Sequence, residues 1–185
     1  MDVFVQSSFV LADLHQQERP DTQRLESCLV LHGIVRERNY VARDGRRMLC
    51  HFRAPDAESL RMALRVVGVK YDAVWTAEVK EMPGASDFVL VVERVFEHPL
   101  SRNQQRAARA STARRLQDLG VEPARVLLSR CGRRLLWLCR AQAPDAVRAA
   151  EPDLANQGYD VWRCEPLSSS ESTVNAYRQH SVTAG

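Results

Sequence analysis

The sequence predicts an α+β fold that contains two copies of one small module. Residues 45–49 (GRRML) recur 87 positions later as residues 132–136 (GRRLL). The same spacing relates Gly33 to Gly120 and Arg38 to Arg125, and residues 71–75 (YDAVW) recur one residue shorter as 159–162 (YDVW). A register that survives turns, strands and insertions indicates an internal repeat.

Each element of the first copy follows from local pattern. Residues 1–9 alternate as in a strand, and apolar positions between 25 and 32 have helical spacing before Gly33, a helix stop. Asp44 and Gly45 predict a hairpin turn between strands over 34–43 and 47–53. A helix begins at Pro55-Asp56, and a last strand runs from about 73 to 79.

The resulting order, βαββαβ, is that of a ferredoxin-like module, with a four-stranded antiparallel sheet and both helices on one side. The second copy has the same order, with a longer first helix over 101–119. We expect the two remaining sheet faces to pack face to face as an intramolecular pseudo-dimer that encloses a cavity. The predicted domains are 1–80 and 87–167, with a linker at 81–86 and a disordered tail at 168–185.

Composition restricts the function classes. A chain of 185 residues with 45% hydrophobic and 26% charged residues is typical of a soluble globular protein. The net charge of +3 is small, and the basic residues are interleaved with acidic residues along the chain. Both observations argue against nucleic-acid binding. No apolar run has the length of a membrane span, and the first residues lack a signal-peptide pattern. Five cysteines without a CxxC pair predict reduced thiols and a cytoplasmic location. We expect a monomer with pseudo-twofold symmetry or a homodimer.

The two-residue period of a strand predicts which side chains share a sheet face. If Val3, Val5 and the residues at 48, 50 and 52 face the helices, the cavity face carries Phe4, Gln6, Leu49 and His51, with Val91, Glu93, Leu136 and Leu138 in the second copy. Arg38, Tyr40 and Arg125 are further candidates for this face.

One candidate chemistry is a metal site made of Cys28, His32 and His51. A cysteine and a histidine four residues apart lie on one helical face, and thiolate with imidazole suits nickel or zinc. The alternative is that Cys28 continues the apolar stripe of the helix and behaves as a small core residue.

The other candidate is acid–base chemistry in the cavity. His51 and Glu93 are the predicted catalytic pair, with Gln6, Arg38, Tyr40 and Arg125 as ligand-binding residues. The alternative is that these charged side chains form ion pairs that hold the two copies together.

Three segments carry a resemblance to a known family. Residues 91–94 (VVER), 46–52 (RRMLCHF) and 54–60 (APDAESL) resemble a nickel-binding-protein-like bacterial family of unknown function. The resemblance implies a ferredoxin-like fold, paired sheets and nickel binding. The thiol and imidazole positions do not repeat, because Cys28, His32, Cys50 and His51 correspond to Arg115, Leu119, Trp137 and Leu138. Any site is therefore expected to be single and asymmetric.

From these observations we expect a protein that binds a small ligand or a nickel-like metal ion at the cavity between the sheets. The alternatives are a cofactor-free isomerase, cyclase or oxygenase that uses the same cavity, and a structural or partner-binding module.

Overall fold

A computed structural model describes residues 1–8, 22–81, 90–141 and 144–167. The chain divides into two compact units. Among the described residues, the first comprises Met1–Thr76 and residues 165–167, and the second comprises Ala77–Cys164. Most of the predicted linker and the whole predicted tail, residues 168–185, lie outside the described residues.

Eight strands and four helices are found in the described residues, and their order is βαββαβ followed by βαββαβ. The first six elements are β1 (Asp2–Ser8), α1 (Thr22–Leu31), β2 (Val35–Ala42), β3 (Arg47–Arg53), α2 (Ala57–Val67) and β4 (Ala73–Glu81). The next six are β5 (Leu90–Val95), α3 (Arg102–Asp118), β6 (Val121–Ser129), β7 (Arg134–Ala141), α4 (Pro144–Asn156) and β8 (Asp160–Leu167).

In the first unit β1 is the central strand. It pairs antiparallel with β3 on one side and β4 on the other, so that Val5 lies opposite both Cys50 and Val74. Strand β2 pairs with β3 through the Asp44-Gly45 hairpin that the sequence predicts.

One face of this sheet packs against α1 and α2. The helices contribute Leu25, Cys28 and Leu29 from α1 and Leu60, Ala63 and Leu64 from α2; the sheet contributes Val3, Val5, Met48, Cys50, Phe52 and Val74. These sheet residues include the five that strand alternation placed toward the helices. Burial of this apolar surface is the main favourable term for the unit.

Helix α2 begins and ends where its sequence specifies. The backbone N–H of Ser59 donates to Oδ1 of Asp56 at 2.7 Å, which satisfies a donor of the first turn. Gly68 ends the helix in a left-handed conformation (φ 76°) and donates its N–H to the carbonyl of Arg65.

In the second unit β5 is central, paired with β7 and β8, while β6 pairs with β7 on one side and with the second half of β4 on the other. Its core on the helix side is built from Leu116 of α3, Ala150 and Leu154 of α4, and apolar residues of the sheet that include Leu90, Val92, Leu135, Trp137 and Cys139.

Local details recur at the 87-residue spacing. Gly45 and Gly132 both have positive φ and donate their N–H to the carbonyls of Ala42 and Ser129, at 2.8 Å each. The pairing register shifts between Arg36 and Arg38 in β2 and between Pro123 and Arg125 in β6.

The predicted fold class is wrong. Two ferredoxin-like modules with separate sheets packed face to face were expected, whereas the strands form one closed antiparallel barrel in the order β1-β3-β2-β8-β5-β7-β6-β4. The reason is that β4 and β8 are not edge strands: β4 lies between β1 and β6, and β8 lies between β2 and β5. Residues 73–76 of β4 pair with β1 and residues 77–81 pair with β6. A strand edge that would otherwise expose backbone N–H and C=O groups is thereby paired.

The helix-side core of the first unit predicts a sharp contrast within α2. Leu60→Ala should lower the free energy of unfolding by about 2–5 kcal/mol, because Leu60 is fully buried and truncation leaves a cavity. Met62→Ala, at an exposed position of the same helix, should change it by less than about 0.5 kcal/mol. Urea denaturation of both variants measures the difference, and equal losses would contradict the described packing.

Candidate functional site

In the first unit, the sheet face away from the helices carries polar and aromatic side chains. We call it the distal face and define it by Phe4, Gln6, Arg38, Tyr40, Leu49, His51 and Trp75. Residues that lie directly opposite each other in paired strands project to the same face. Phe4 lies opposite His51 and Trp75, and His51 lies opposite Arg38. Four of the predicted site residues, at positions 6, 38, 40 and 51, therefore share one face.

His51 is the centre of this face. It is only 7% exposed, and its Nε2 lies 2.9 Å from Oδ1 of Asp2, whose side chain is partly exposed. The imidazole ring stacks on Phe4 with 4.5 Å between the centroids and an angle of 7° between the planes. The ring is thus held by a carboxylate at its edge and by an aromatic ring on its face.

Strand geometry explains how Asp2 reaches His51. Asp2 and Phe4 are two residues apart in β1, so both project to the same side. Phe4 lies directly opposite His51, and Asp2 lies opposite Arg53, which makes Asp2 and His51 diagonal neighbours. A carboxylate that accepts the Nε2 proton selects the tautomer in which Nδ1 carries the lone pair.

The aromatic side chains of the distal face continue beyond His51. Trp75 stacks on Phe4 at 5.1 Å with an interplanar angle of 26°. Tyr40 is completely buried on the same face, opposite Leu49. His51, Phe4 and Trp75 thus form one stacked row, and Phe4 in its middle is completely buried.

Glu93 belongs to the second unit and has its own charge partner. It is 2% exposed, and its Oε1 lies 3.0 Å from Arg134 Nη1. Arg134 is part of the repeated GRR hairpin segment, but only the second copy has a glutamate in the facing strand, where the first has Gln6. The predicted catalytic partners His51 and Glu93 therefore each have a charged partner, Asp2 and Arg134, within their own unit.

The remaining predicted ligand residues differ in environment. Arg125 is buried on β6, where its Nη2 contacts Oε1 of Glu81 at 2.5 Å across the β4–β6 pair. Gln6 is half-buried opposite Leu49, and Arg38 is exposed opposite His51.

The predicted nickel or zinc site is wrong. Cys28 lies in the core on the helix side, with its Sγ 3.7 Å from the carbonyl oxygen of Ala63, whereas His51 projects from the opposite face of the sheet. The sheet itself separates these two ligands. Among the residues that the structure describes, no group of three or more His, Cys, Asp or Glu side chains is placed to hold a metal ion.

Asp2 and Arg134, the partners of the two candidate catalytic residues, were not among the predicted site residues. A signal for Asp2 was present, since it alternates in phase with Phe4 and Gln6 on β1. Its distance from His51 depends on the β1–β3 register, which a single sequence does not display.

The cysteines fall into two classes. Burial raises the pKa of Cys50 to about 12 and raises that of Cys139 still further, so both stay protonated. At Cys131, partial burial raises the pKa, but hydrogen bonds with Ser129 and with backbone groups, and the charge of Arg133, outweigh it and leave the pKa below its usual value.

Cys131 is therefore predicted to be the reactive thiol of the described residues. Iodoacetamide at pH 8 should alkylate Cys131 first, because it is the exposed cysteine and the other four are buried. Peptide mass spectrometry after short exposure identifies the modified site, and Cys131→Ser should abolish the early phase. Early labelling of Cys28 or Cys139 would contradict the described burial.

The Glu93–Arg134 ion pair predicts that removing one partner lowers the stability of the fold more than removing both partners. Arg134→Met should cost roughly 3 kcal/mol of stability, because it removes a close compensating cation from a buried carboxylate. Arg134→Met with Glu93→Leu should recover most of that loss, since no buried charge then remains. Urea denaturation of the four members of this double-mutant cycle measures the coupling, and additive losses would contradict it.

None of the helices in the described part of the chain is long and apolar enough to cross a membrane. No protein-family model matches the chain. No curated protein matches it either, so the resemblance to the nickel-binding-protein-like family stays a prediction.

Solved structures that resemble the chain do so weakly. An anthrone oxidase-like protein is 11% identical and aligns over 92% of this chain and 94% of its own, with a TM-score of 0.46. A protein described as a candidate monooxygenase from Fusobacterium nucleatum is 10% identical over 90% and 91%, with a TM-score of 0.39. An unknown protein from Galdieria sulphuraria is 16% identical over 90% and 97%, with a TM-score of 0.33. Similarity at this level assigns no activity to this chain.

Proposed function

We propose that this chain binds a small planar organic molecule on the distal face beside His51, and that His51 removes a proton from it without a metal or organic cofactor. The activity would be a cofactor-free isomerisation, cyclisation or oxygenation. The observation that carries the proposal is a buried imidazole held 2.9 Å from a carboxylate and stacked on an aromatic ring.

The energetics of burial support a functional role for this pair. A buried polar group is costly unless its hydrogen bonds are made, and an apolar side chain would fill the same space at lower cost. His51 stacks on Phe4, whose ring also stacks on Trp75, so an apolar residue would suit this position. A histidine with a carboxylate on one nitrogen is the usual arrangement of a general base.

The proton transfer follows from the tautomer. With the Nε2 proton directed at Asp2, Nδ1 is the basic nitrogen of the neutral ring. Nδ1 is buried, so a substrate would have to enter the distal face to reach it. The proton moves from a substrate carbon to Nδ1, and the electron pair of the broken C–H bond stays on the substrate as an enolate. Asp2 stabilises the imidazolium that forms. An oxygenation would in addition consume molecular oxygen as the oxidant of that enolate.

The position of Asp2 supports turnover. Its side chain is 41% exposed while that of His51 is 9% exposed, so the pair extends from solvent into a buried environment. The partly exposed carboxylate gives the imidazole a route for proton exchange with water, and the neighbouring rings keep the basic nitrogen in an apolar surrounding.

A direct test measures proton abstraction rather than a particular product. In D₂O, the wild-type protein should accelerate deuterium incorporation into β-tetralone and related planar ketones, whose C–H bonds next to the carbonyl are acidic, as followed by mass spectrometry. His51→Gln should reduce the catalysed rate by about a hundredfold, since general-base catalysis contributes about that factor or more. Asp2→Asn should reduce it less, because the base remains but its imidazolium is less stabilised.

His32→Gln is the matched control, since His32 lies beyond the end of α1 and not on the distal face. It should leave the exchange rate unchanged. Thermal unfolding of all variants separates loss of chemistry from loss of fold. If the wild type produces no exchange above the buffer rate with any ketone of the panel, or if His51→Gln and His32→Gln behave alike, the proposal is wrong. Oxygen consumption during the reaction would identify the oxygenase among the three reaction types.

A further inference from the structure

The second unit contains a cleft that is unconnected with His51 or the distal face. It has a volume of about 560 Å³ and lies between α3 and the helix side of the sheet. Its apolar wall includes Ala113 of α3, Pro123 and Val126 of β6, and Trp137 of β7. A volume of this size matches pockets that bind small organic molecules.

Two residues that line the cleft differ from their counterparts in the first half of the chain. At the 87-residue spacing, Glu26 of α1 corresponds to Ala113, and Arg36 of β2 corresponds to Pro123. In the first unit Arg36 and Glu26 form an ion pair at 2.8 Å that bridges helix and strand. In the second unit the two positions carry short side chains that cannot form such a bridge, and both line the cleft.

The wall of the cleft contains an unused hydrogen-bond donor. Trp137 is 1% exposed, and its indole Nε1 is buried with no hydrogen-bond partner among the described residues. A buried N–H without a partner is costly, and a bound acceptor would remove that cost. The corresponding residue of the first unit is Cys50, which is packed in the core there.

The rim of the cleft is cationic. Lys80, Arg106 and Arg109 line it, against the single carboxylate of Glu122. Glu122 already forms an ion pair with Arg140, whose Nη2 lies 3.0 Å from Oε2. The balance of charge at the rim therefore favours an anion, while the wall favours an apolar body.

We propose that this cleft binds an amphipathic organic anion, with its apolar body against Val126 and Trp137 and its acidic group at Arg106 and Arg109. Arg106 and Arg109 project on the same side of α3 as Ala113, since they are seven and four residues before it. The site goes beyond the proposed proton transfer, because none of its residues belongs to the distal face or to the first unit.

The probe is 8-anilinonaphthalene-1-sulfonate, an aromatic body with one anionic group, whose fluorescence rises when it enters an apolar site. Saturable binding to the folded wild type is expected, with sodium decanoate as a competitor. Arg106→Glu with Arg109→Glu should weaken binding by about tenfold or more, because two attractive charges become repulsive. Arg102→Glu with Arg114→Glu is the matched control, with the same charge change on exposed positions of α3 that do not line the cleft, and binding should change less than about twofold.

A second variant closes the cleft without altering net charge. Ala113→Glu with Pro123→Arg introduces the ion pair of the first unit at the corresponding positions and should abolish binding. Ala113→Leu, which only fills space, repeats the test if the double variant does not fold. Three results would each overturn the proposal. These are equal weakening of binding by the two charge-reversal pairs, unchanged binding after the cleft is filled, and no saturable binding to the wild type. His51→Gln should leave this binding unchanged, which separates its outcome from that of the proton-transfer proposal.

Discussion

The hydrogen bonds of β4 are the constraint on which much of this structure depends. Residues 73–76 satisfy the free edge of β1, and residues 77–81 satisfy the edge of β6. A sheet of four strands leaves two edges whose backbone groups need partners, and a strand of nine residues is long enough to serve two neighbours. The closed strand order requires this change of partner in β4 together with the position of β8 between β2 and β5.

Once the strands are paired, their two-residue period decides the chemistry of each face. In the first unit, Val5 and Cys50 face the helices and join an apolar core, while Phe4 and His51 face away and bring a charged partner, Asp2, into hydrogen-bonding distance. The same alternation explains why the metal prediction failed. Cys28 lies on the helix side of the sheet and His51 on the other side, so the sheet separates the two predicted ligands.

The two halves of the chain share backbone features and differ in the side chains that carry chemistry. The glycines at 45 and 132 close equivalent hairpins, and both β2 and β6 shift register at equivalent positions. By contrast His51 corresponds to Leu138, Gln6 to Glu93, and the Arg36–Glu26 pair to Pro123 and Ala113. Backbone positions with positive φ tolerate few residues, whereas a side chain on a strand or helix can change without altering the turn. The different chemistry of the two units follows from that freedom.

The sequence by itself determined the order of the helices and strands, the glycine at each hairpin, and the face on which Phe4, His51 and Cys50 project, because these depend on residues close together in the chain. Only the tertiary structure decided that β4 pairs with two neighbours, that Asp2 meets His51, and that Arg134 meets Glu93. These depend on strand register and on partner choice between residues tens of positions apart. Such contacts are set by the pairing of whole strands, for which a single sequence carries no local pattern.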